Sequence, residues 1–155
     1  MSLRGARAPL IFSSMARQTD PFTVEITPEL IVRAYQAGIF PMAEDAADTD
    51  LFWVSPDLRG IIPLDSFHAS KSLRKAMRNS GWTIRVDTNW DGIVEGCATV
   101  GEDRQTTWIN GTIRSVYGEL FRRGVAHTVE VWDGDNLVGG LYGLAIGAAF
   151  FGESM

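Results

Sequence analysis

Near the C-terminal end of the sequence, alternating polar and apolar residues predict a β-hairpin. Residues 128–132 alternate between valines and polar or aromatic side chains, so this arm should bury one face. An Asp-Gly-Asp-Asn turn follows at 133–136, where the glycine can adopt a positive φ. Residues 137–146 are almost entirely apolar, which predicts a central strand covered on both faces. Gly139 and Gly140 mark a bulge or a close backbone approach within it.

A third apolar run, residues 148–152, ends at a single acid, Glu153. A carboxylate in apolar surroundings is costly unless it has partners or a chemical role. Glu153 is therefore the first candidate for a functional group.

Helical periodicity appears in four segments. The first opens on Thr27 as N-cap with proline at the first helical position, and the last opens on Asn110. In the second segment, Leu73, Ala76 and Met77 should face the core. The four segments cover 27–37, 66–79, 89–98 and 111–123.

Short strand-like runs occur at 51–54, 59–62 and 82–86, and 39–42 reads as an apolar turn. Helices are grouped between strands instead of alternating with them, which predicts an α+β fold. We expect three parts: a disordered tail or wrongly assigned start at 1–26, a small N-terminal α/β domain at 27–62 and a main domain at 63–155.

The composition is that of an ordinary globular chain, with 155 residues, a formal net charge of −5 and one cysteine. The acidic balance argues against a general polyanion-binding protein. A single cysteine excludes an internal disulfide framework, and His68 and His127 lack metal-ligand spacing. No apolar run is long enough to span a membrane. We therefore expect a cytoplasmic protein with no metal and no cofactor.

Basic residues cluster on the second predicted helix at spacings of three and four. They are Lys71, Arg74, Lys75 and Arg78. The spacing fits either a solvated helix face or a surface that contacts RNA phosphates. Arg114, Arg122 and Arg123 would extend such a surface.

Two of the five tryptophans, Trp53 and Trp108, lie beside turns, where an exposed ring can stack on a nucleobase. The other three, Trp82, Trp90 and Trp132, lie in periodic contexts that are typical of core residues.

The sequence resembles the bacterial leucyl/phenylalanyl-tRNA–protein transferases. The resemblance rests on EVW, LVGGLYG and FFGESM in the hairpin region and on five earlier blocks in the same order, AYQAGIFPM, LFWVSPDLRGIIP, FHASKSLRK, VEGCA and TTWING. It extends from residue 27 to residue 155 and implies that the main domain has an incomplete acetyltransferase-like (GNAT-like) fold. Members of this family continue beyond the GESM block with a helix and a strand that carries an Asp and a Gln, so we expect a C-terminally truncated member that associates with itself and lacks activity.

The resemblance also implies roles for individual residues. Glu153 would be catalytic, and Leu141, Phe150 and Gly152 would line the pocket for the aminoacyl side chain. The terminal adenosine of tRNA would stack on Trp108, with Met42 standing where the family has a second tryptophan and Trp53 nearby. The tRNA-binding residues would be Lys71, Arg74, Lys75 and Arg78.

The implied function is transfer of Leu or Phe, and in some cases Met, from aminoacyl-tRNA to the N-terminal Arg or Lys of acceptor proteins. Such a transfer marks the acceptor for N-end-rule degradation, with no membrane or DNA partner. The alternative is a truncated, inactive fragment that still binds tRNA. An acyl-CoA-dependent acyltransferase is a third reading, and it needs a Gly-rich loop that leads into a helix after the central strands. The sequence ends where such a loop would begin, so it gives this reading no support.

Overall fold

The computed structural model describes residues 25–101 and 105–155. Nearly all of the tail expected at 1–26 lies outside these residues. The described part is a mixed α and β structure, as predicted, and it contains two antiparallel sheets. In chain order its elements are α1 (Pro28–Gln36), β1 (Phe40–Met42), β2 (Phe52–Val54), α2 (Lys71–Asn79), β3 (Thr83–Val86), α3 (Trp90–Ala98), α4 (Gly111–Arg122), β4 (Ala126–Asp133), β5 (Asn136–Ile146) and β6 (Ala149–Ser154).

The helices begin where the sequence places good N-caps. Thr27 accepts a hydrogen bond from the Leu30 N–H at 3.2 Å, and Asn110 accepts one from the Ile113 N–H at 2.9 Å. Because each cap satisfies a backbone donor that the first turn leaves free, the predicted starts of α1 and α4 are confirmed.

The small sheet differs from the sequence prediction in two places. Residues 39–42, predicted as a turn, contain β1, which pairs antiparallel with β2. Residues 59–62, predicted as a strand, form none. β-propensity in such short runs is weak, and the pairing partner decides which run becomes a strand.

The large sheet has the strand order β3-β4-β5-β6, and β4 and β5 form the predicted hairpin. Gly134 in the turn has φ 59°, as the turn requires. The register shifts so that Val138 is left without a partner beside Gly139, which confirms the predicted irregularity. At Gly140 a Cβ would lie 2.5 Å from the Val129 carbonyl oxygen, so only glycine fits there.

One face of the large sheet is covered by helices. α3 packs on β5, α4 packs on β4, and α1 packs on α4. Tyr142 and Leu144 of β5 are buried beneath them. On the opposite face of β5, Leu141 is only half-buried and Ala145 is exposed. The prediction that the second arm is covered on both faces is therefore wrong for the part of the chain that the structure describes.

The buried face of β4 contains a fully buried acid, Glu130. Its carboxylate accepts hydrogen bonds from the Asn89 N–H at 2.7 Å, the Thr128 hydroxyl at 2.7 Å and the Trp132 indole N–H at 3.0 Å. Thr88 donates both its N–H and its hydroxyl. Burial acts to raise the pKa of Glu130, but these donors outweigh it and hold the pKa at about 2. Glu130 therefore joins β4 to the N-terminus of α3.

Helix α2 is shorter than predicted and has no buried residue. Leu73 and Met77 are 47% and 53% exposed, and Ala76 is exposed too. The expectation that these three face a core is wrong, since α2 has a helical period but no described element lies over it.

Among the described residues, no helix is long and apolar enough to cross a membrane.

Candidate functional site

A cavity of about 210 Å³ brings distant parts of the chain together. Phe40 and Met42 come from β1, and Gly152 and Glu153 come from β6. The remaining lining residues are Arg59, from the segment after β2, and Trp108, which precedes α4. The cavity therefore lies between the small sheet and the large sheet.

Trp108 is held at this cavity by its neighbours. Ile109 and Asn110 are 1% exposed, and Asn110 is the N-cap of α4. The Asn110 side-chain amide also donates to the Asp48 carbonyl at 2.9 Å, which ties in the loop between β1 and β2. Because both following residues are buried, the backbone at Trp108 is held beside the cavity.

Glu153 lies at a bulge in the edge strand β6. Tyr142 pairs with Ser154, and Gly143 pairs with Gly152, so Glu153 is the extra residue. A bulge re-aims a side chain away from the regular alternation of the strand. Here Glu153 both lines the cavity and interacts with tyrosines from the helix-covered side.

Burial raises the pKa of Glu153 to about 7. A hydrogen bond from Tyr35 and the charge of Arg59 act in the opposite direction. At neutral pH the carboxyl group therefore exchanges readily between its neutral and ionised forms, which suits a group that takes up and releases a proton.

Three buried tyrosines surround this carboxyl group. The hydroxyls of Tyr35 and Tyr117 lie 2.6 Å apart. Burial raises the pKa of Tyr35, Tyr117 and Tyr142, so all three remain neutral. Nothing in the local sequence pattern links Tyr35 or Tyr117 to Glu153.

Arg59 is a further residue that sequence reasoning missed. Its Nη2 donates to the Gly38 carbonyl at 2.7 Å, and its guanidinium lies 5.0 Å from the ring centroid of Phe40. The ring of Phe151 is 6.0 Å away. One signal was available, since an arginine within the apolar run LRGIIP needs a specific partner.

The three residues expected to line an aminoacyl pocket share one face of the sheet. Gly152 pairs with Gly143, and the Phe150 ring lies against Gly143. Leu141 lies on the same face by alternation along β5. Only Gly152 reaches the cavity; Phe150 is 48% exposed and Leu141 is half-buried on the face without helices.

The residues expected to stack on the terminal adenosine do not all lie at the cavity either. Trp108 and Met42 both line the cavity, whereas Trp53 does not. In the small sheet Trp53 pairs with Pro41, so its side chain lies on the face opposite Phe40 and Met42.

The basic residues of α2 are all exposed, and within residues 25–101 and 105–155 none of the four is in an ion pair. The three arginines of α4 and its C-cap behave differently. Arg114 pairs with Glu95, Arg122 with Glu119, and Arg123 with Glu119 and Glu29. Each of these three arginines therefore has a carboxylate partner, and their extension of the basic surface stays a prediction.

In the part of the chain that the structure describes, no three His, Cys, Asp or Glu side chains are placed to hold a metal ion.

Comparison with protein families gives two adjoining matches. Residues 61–155 match the family model described as leucyl/phenylalanyl-tRNA protein transferase. Residues 24–57 match the model of the N-terminal domain of the same protein.

Proposed function

Because this chain belongs to the leucyl/phenylalanyl-tRNA–protein transferase family, we propose that it moves Leu or Phe, with Met as a further substrate, from aminoacyl-tRNA to proteins that begin with Arg or Lys. The product would carry an N-terminal mark for N-end-rule degradation in the cytoplasm. One observation supports this most strongly: Trp108, Arg59 and Glu153 line the same cavity.

The reaction is attack of an amine on an ester carbonyl. The α-ammonium group of the acceptor must first lose a proton, and the Glu153 carboxylate is the acceptor for it. The neutral nitrogen then forms a bond to the carbonyl carbon, and the bond from that carbon to the ribose oxygen breaks. The nitrogen gives up its second proton as the amide forms, and the ribose oxygen takes up one proton and leaves as a tRNA hydroxyl.

The other cavity residues fit the tRNA end of the substrate. The Trp108 ring offers a π-face to the terminal adenine, a contact worth about 1–3 kcal/mol. Met42 can pack against the base without providing a second π-face. Arg59 supplies a positive charge for a phosphate or for the developing oxyanion.

The direct test is transfer of radiolabelled Leu from Leu-tRNA to a peptide that begins with Arg. An N-acetylated peptide is the control, because it has no α-amine, and Val-tRNA tests the choice of side chain. We expect labelling only with Leu-tRNA and the free peptide. If the chain binds Leu-tRNA but labels no peptide, the alternative of a tRNA-binding protein without catalysis is correct.

We expect Gly152→Val to impair transfer of Phe roughly tenfold more than transfer of Leu, because a few methyl-sized groups in a pocket change discrimination by that order. A Cβ at Gly152 meets no atom within 4 Å, so the substitution fills open space without disturbing the fold. Single-turnover rates with Phe-tRNA and Leu-tRNA measure the effect, and Gly152→Ala should show a weaker form of it. Equal losses for both substrates would show that Gly152 does not line the aminoacyl pocket.

The exposed basic face of α2 is proposed to contact tRNA phosphates. Replacing Lys75 and Arg78 with alanine should weaken binding of different aminoacyl-tRNAs equally and reduce the slope of log affinity against log salt by roughly 2. Filter binding at several salt concentrations measures this slope.

The matched control replaces Arg33 of α1 and Arg122 of α4 with alanine, which removes the same charge from other helices. If both double variants lose affinity equally, the effect is one of net charge and α2 is not the binding surface.

A further inference from the structure

The guanidinium of Arg59 is held between the small sheet and the large sheet. Arg59 lies in the segment after β2, and its Nη2 donates to the carbonyl of Gly38, just beyond the C-terminal end of α1, at 2.7 Å. The guanidinium lies 5.0 Å from the ring centroid of Phe40 in β1 and 6.0 Å from that of Phe151 in β6. Contacts with elements of both sheets therefore fix its position.

These contacts hold the cation without neutralising it. The carbonyls at the C-terminal end of a helix carry partial negative charge, and the face of an aromatic ring attracts a cation. A guanidinium has five N–H donors, and the Gly38 carbonyl is the one acceptor that Arg59 has among the described residues. In the same part of the chain Arg59 is in no ion pair with a carboxylate. Arg59 therefore brings a whole positive charge and unused donors to the cavity that it lines.

Exposure distinguishes between the two anions that aminoacyl transfer would bring to this cavity, a phosphate and the oxyanion formed from the ester carbonyl. Arg59 is exposed, whereas Trp108 and Glu153 are half-buried. A donor stabilises an oxyanion best where water is excluded. The phosphate chain of an RNA, in contrast, has to leave the cavity towards the solvent. A fixed cation on the exposed side therefore suits a phosphate better.

We propose that Arg59 binds the phosphate that joins the terminal adenosine of aminoacyl-tRNA to the preceding nucleotide. This inference rests on the proposed function, in which the adenine stacks on Trp108. Base and phosphate are joined through one ribose, so an adenine on Trp108 brings this phosphate close to the other residues of the cavity. The planar fork of an arginine donates two parallel hydrogen bonds to such a phosphate. Arg59 thus orients the 3′ end of the RNA and takes no part in proton transfer.

The test combines a change in the protein with a change in the RNA. The probe is an RNA hairpin with the acceptor stem and single-stranded 3′ end of a leucine tRNA, made with either the normal terminal phosphodiester or a neutral methylphosphonate in its place. Arg59→Gln should weaken binding of the normal hairpin by roughly tenfold or more, because charge-assisted hydrogen bonds are lost. The methylphosphonate should weaken binding to the unaltered protein by a similar factor. The two changes together should weaken binding no more than either one alone.

Two further variants separate the phosphate contact from a general effect of charge. Arg33→Gln is the matched control, because Arg33 also donates to a backbone carbonyl, that of Glu29 at 3.4 Å, but does not line the cavity. It removes the same charge and should leave the ratio of the affinities for the two hairpins as it is in the unaltered protein. Arg59→Lys keeps the charge without the planar fork, so it should weaken binding by less than Arg59→Gln does.

Transfer of Leu from leucylated forms of the two hairpins is the second readout, and it uses the unaltered protein. A phosphate is bound equally before and during the reaction. The methylphosphonate should therefore raise the RNA concentration that gives half the maximal rate by roughly tenfold and leave the rate at saturation unchanged.

Equal affinities of the unaltered protein for the two hairpins would overturn the phosphate site, even if transfer occurs. Additive losses from Arg59→Gln and the methylphosphonate would overturn it too, because the two changes would then act at separate places. If Arg59→Gln does not melt cooperatively, the comparison of the hairpins with the unaltered protein and with Arg59→Lys decides. If the affinities change as expected but no Leu is transferred, the phosphate site stands and the proposed function fails.

Discussion

Replacing Glu153 with glutamine is expected to lower transfer by about a hundredfold or more while making the folded protein more stable above pH 7. The loss of rate follows because an amide cannot take a proton from the acceptor ammonium group. The gain in stability follows because the wild-type protein holds a carboxylate in a site that disfavours its charge.

The sign of the pH dependence follows from the raised pKa. The ordinary value of 4.5 describes the unfolded chain, and the folded value is about 7. Between these values the folded state binds more protons than the unfolded state, so stability falls as the pH rises. Above pH 7 the full penalty applies, at most about 3 kcal/mol. Below pH 4.5 the carboxyl group is neutral in both states and the penalty is absent.

Urea unfolding at pH 5 and pH 8 measures this difference. The wild-type protein should lose stability between the two values by more than Glu153→Gln does. Glu44→Gln is the control, since Glu44 is exposed in the loop between β1 and β2 and should behave like the wild type. A Glu153→Gln protein that is less stable than the wild type at pH 8 would show that the carboxylate is a stabilising group.

Glu130→Ala is expected to destabilise the protein by about 3–5 kcal/mol at pH 7, without any direct effect on the cavity chemistry. The substitution leaves buried donors from Thr88, Asn89, Thr128 and Trp132 without an acceptor. A loss of this size is a large fraction of the total stability of a small domain.

Lowering the pH should destabilise the protein in the same way as Glu130→Ala. The pKa of Glu130 is about 2 in the folded state against an ordinary value of 4.5. A lowered pKa stabilises the protein above pH 4.5, by about 3 kcal/mol for this shift, and that contribution is lost as the pH falls towards 2.

Thermal melts at pH 7 and pH 3 separate the contribution of Glu130 to stability from that of an exposed acid. Glu130→Gln keeps the size of the side chain and should remove the acid-dependent loss between these values. Glu95→Gln is a suitable control, because Glu95 is in an exposed ion pair with Arg114 and should contribute under about 1 kcal/mol. If Glu130→Ala melts within the error of the wild type, the buried donors must be satisfied in another way.

Local chemistry accounts for the elements that the sequence predicted well. Asn110 caps α4 through its own side chain, and Ile113, Val116, Tyr117 and Leu120 repeat at helical spacing on its buried side. Both signals lie within one element, so they need no knowledge of its neighbours. The hairpin turn is equally local, because Gly134 is needed for a positive φ.

Helix α2 and strand β5 show where a pattern stops being informative. Leu73 and Met77 have helical spacing, and β5 is apolar throughout, so both elements resemble elements that are packed on other parts of a protein. Periodicity states which residues could share a face, but it does not state whether another element lies over that face.

The sequence by itself determined the starts of α1 and α4, the hairpin and the candidate status of Glu153, because caps, turns and an acid among apolar residues act over a few positions. Tertiary structure alone decided the surroundings of Glu153. Tyr35 and Tyr117 are 82 positions apart in the chain, and their hydroxyls meet only because α1 packs on α4. Arg59 and Trp108 share a cavity with Glu153 for the same reason. The pKa of a carboxyl group depends on its burial and on neighbours from every direction, and these cannot be read from the order of residues along the chain.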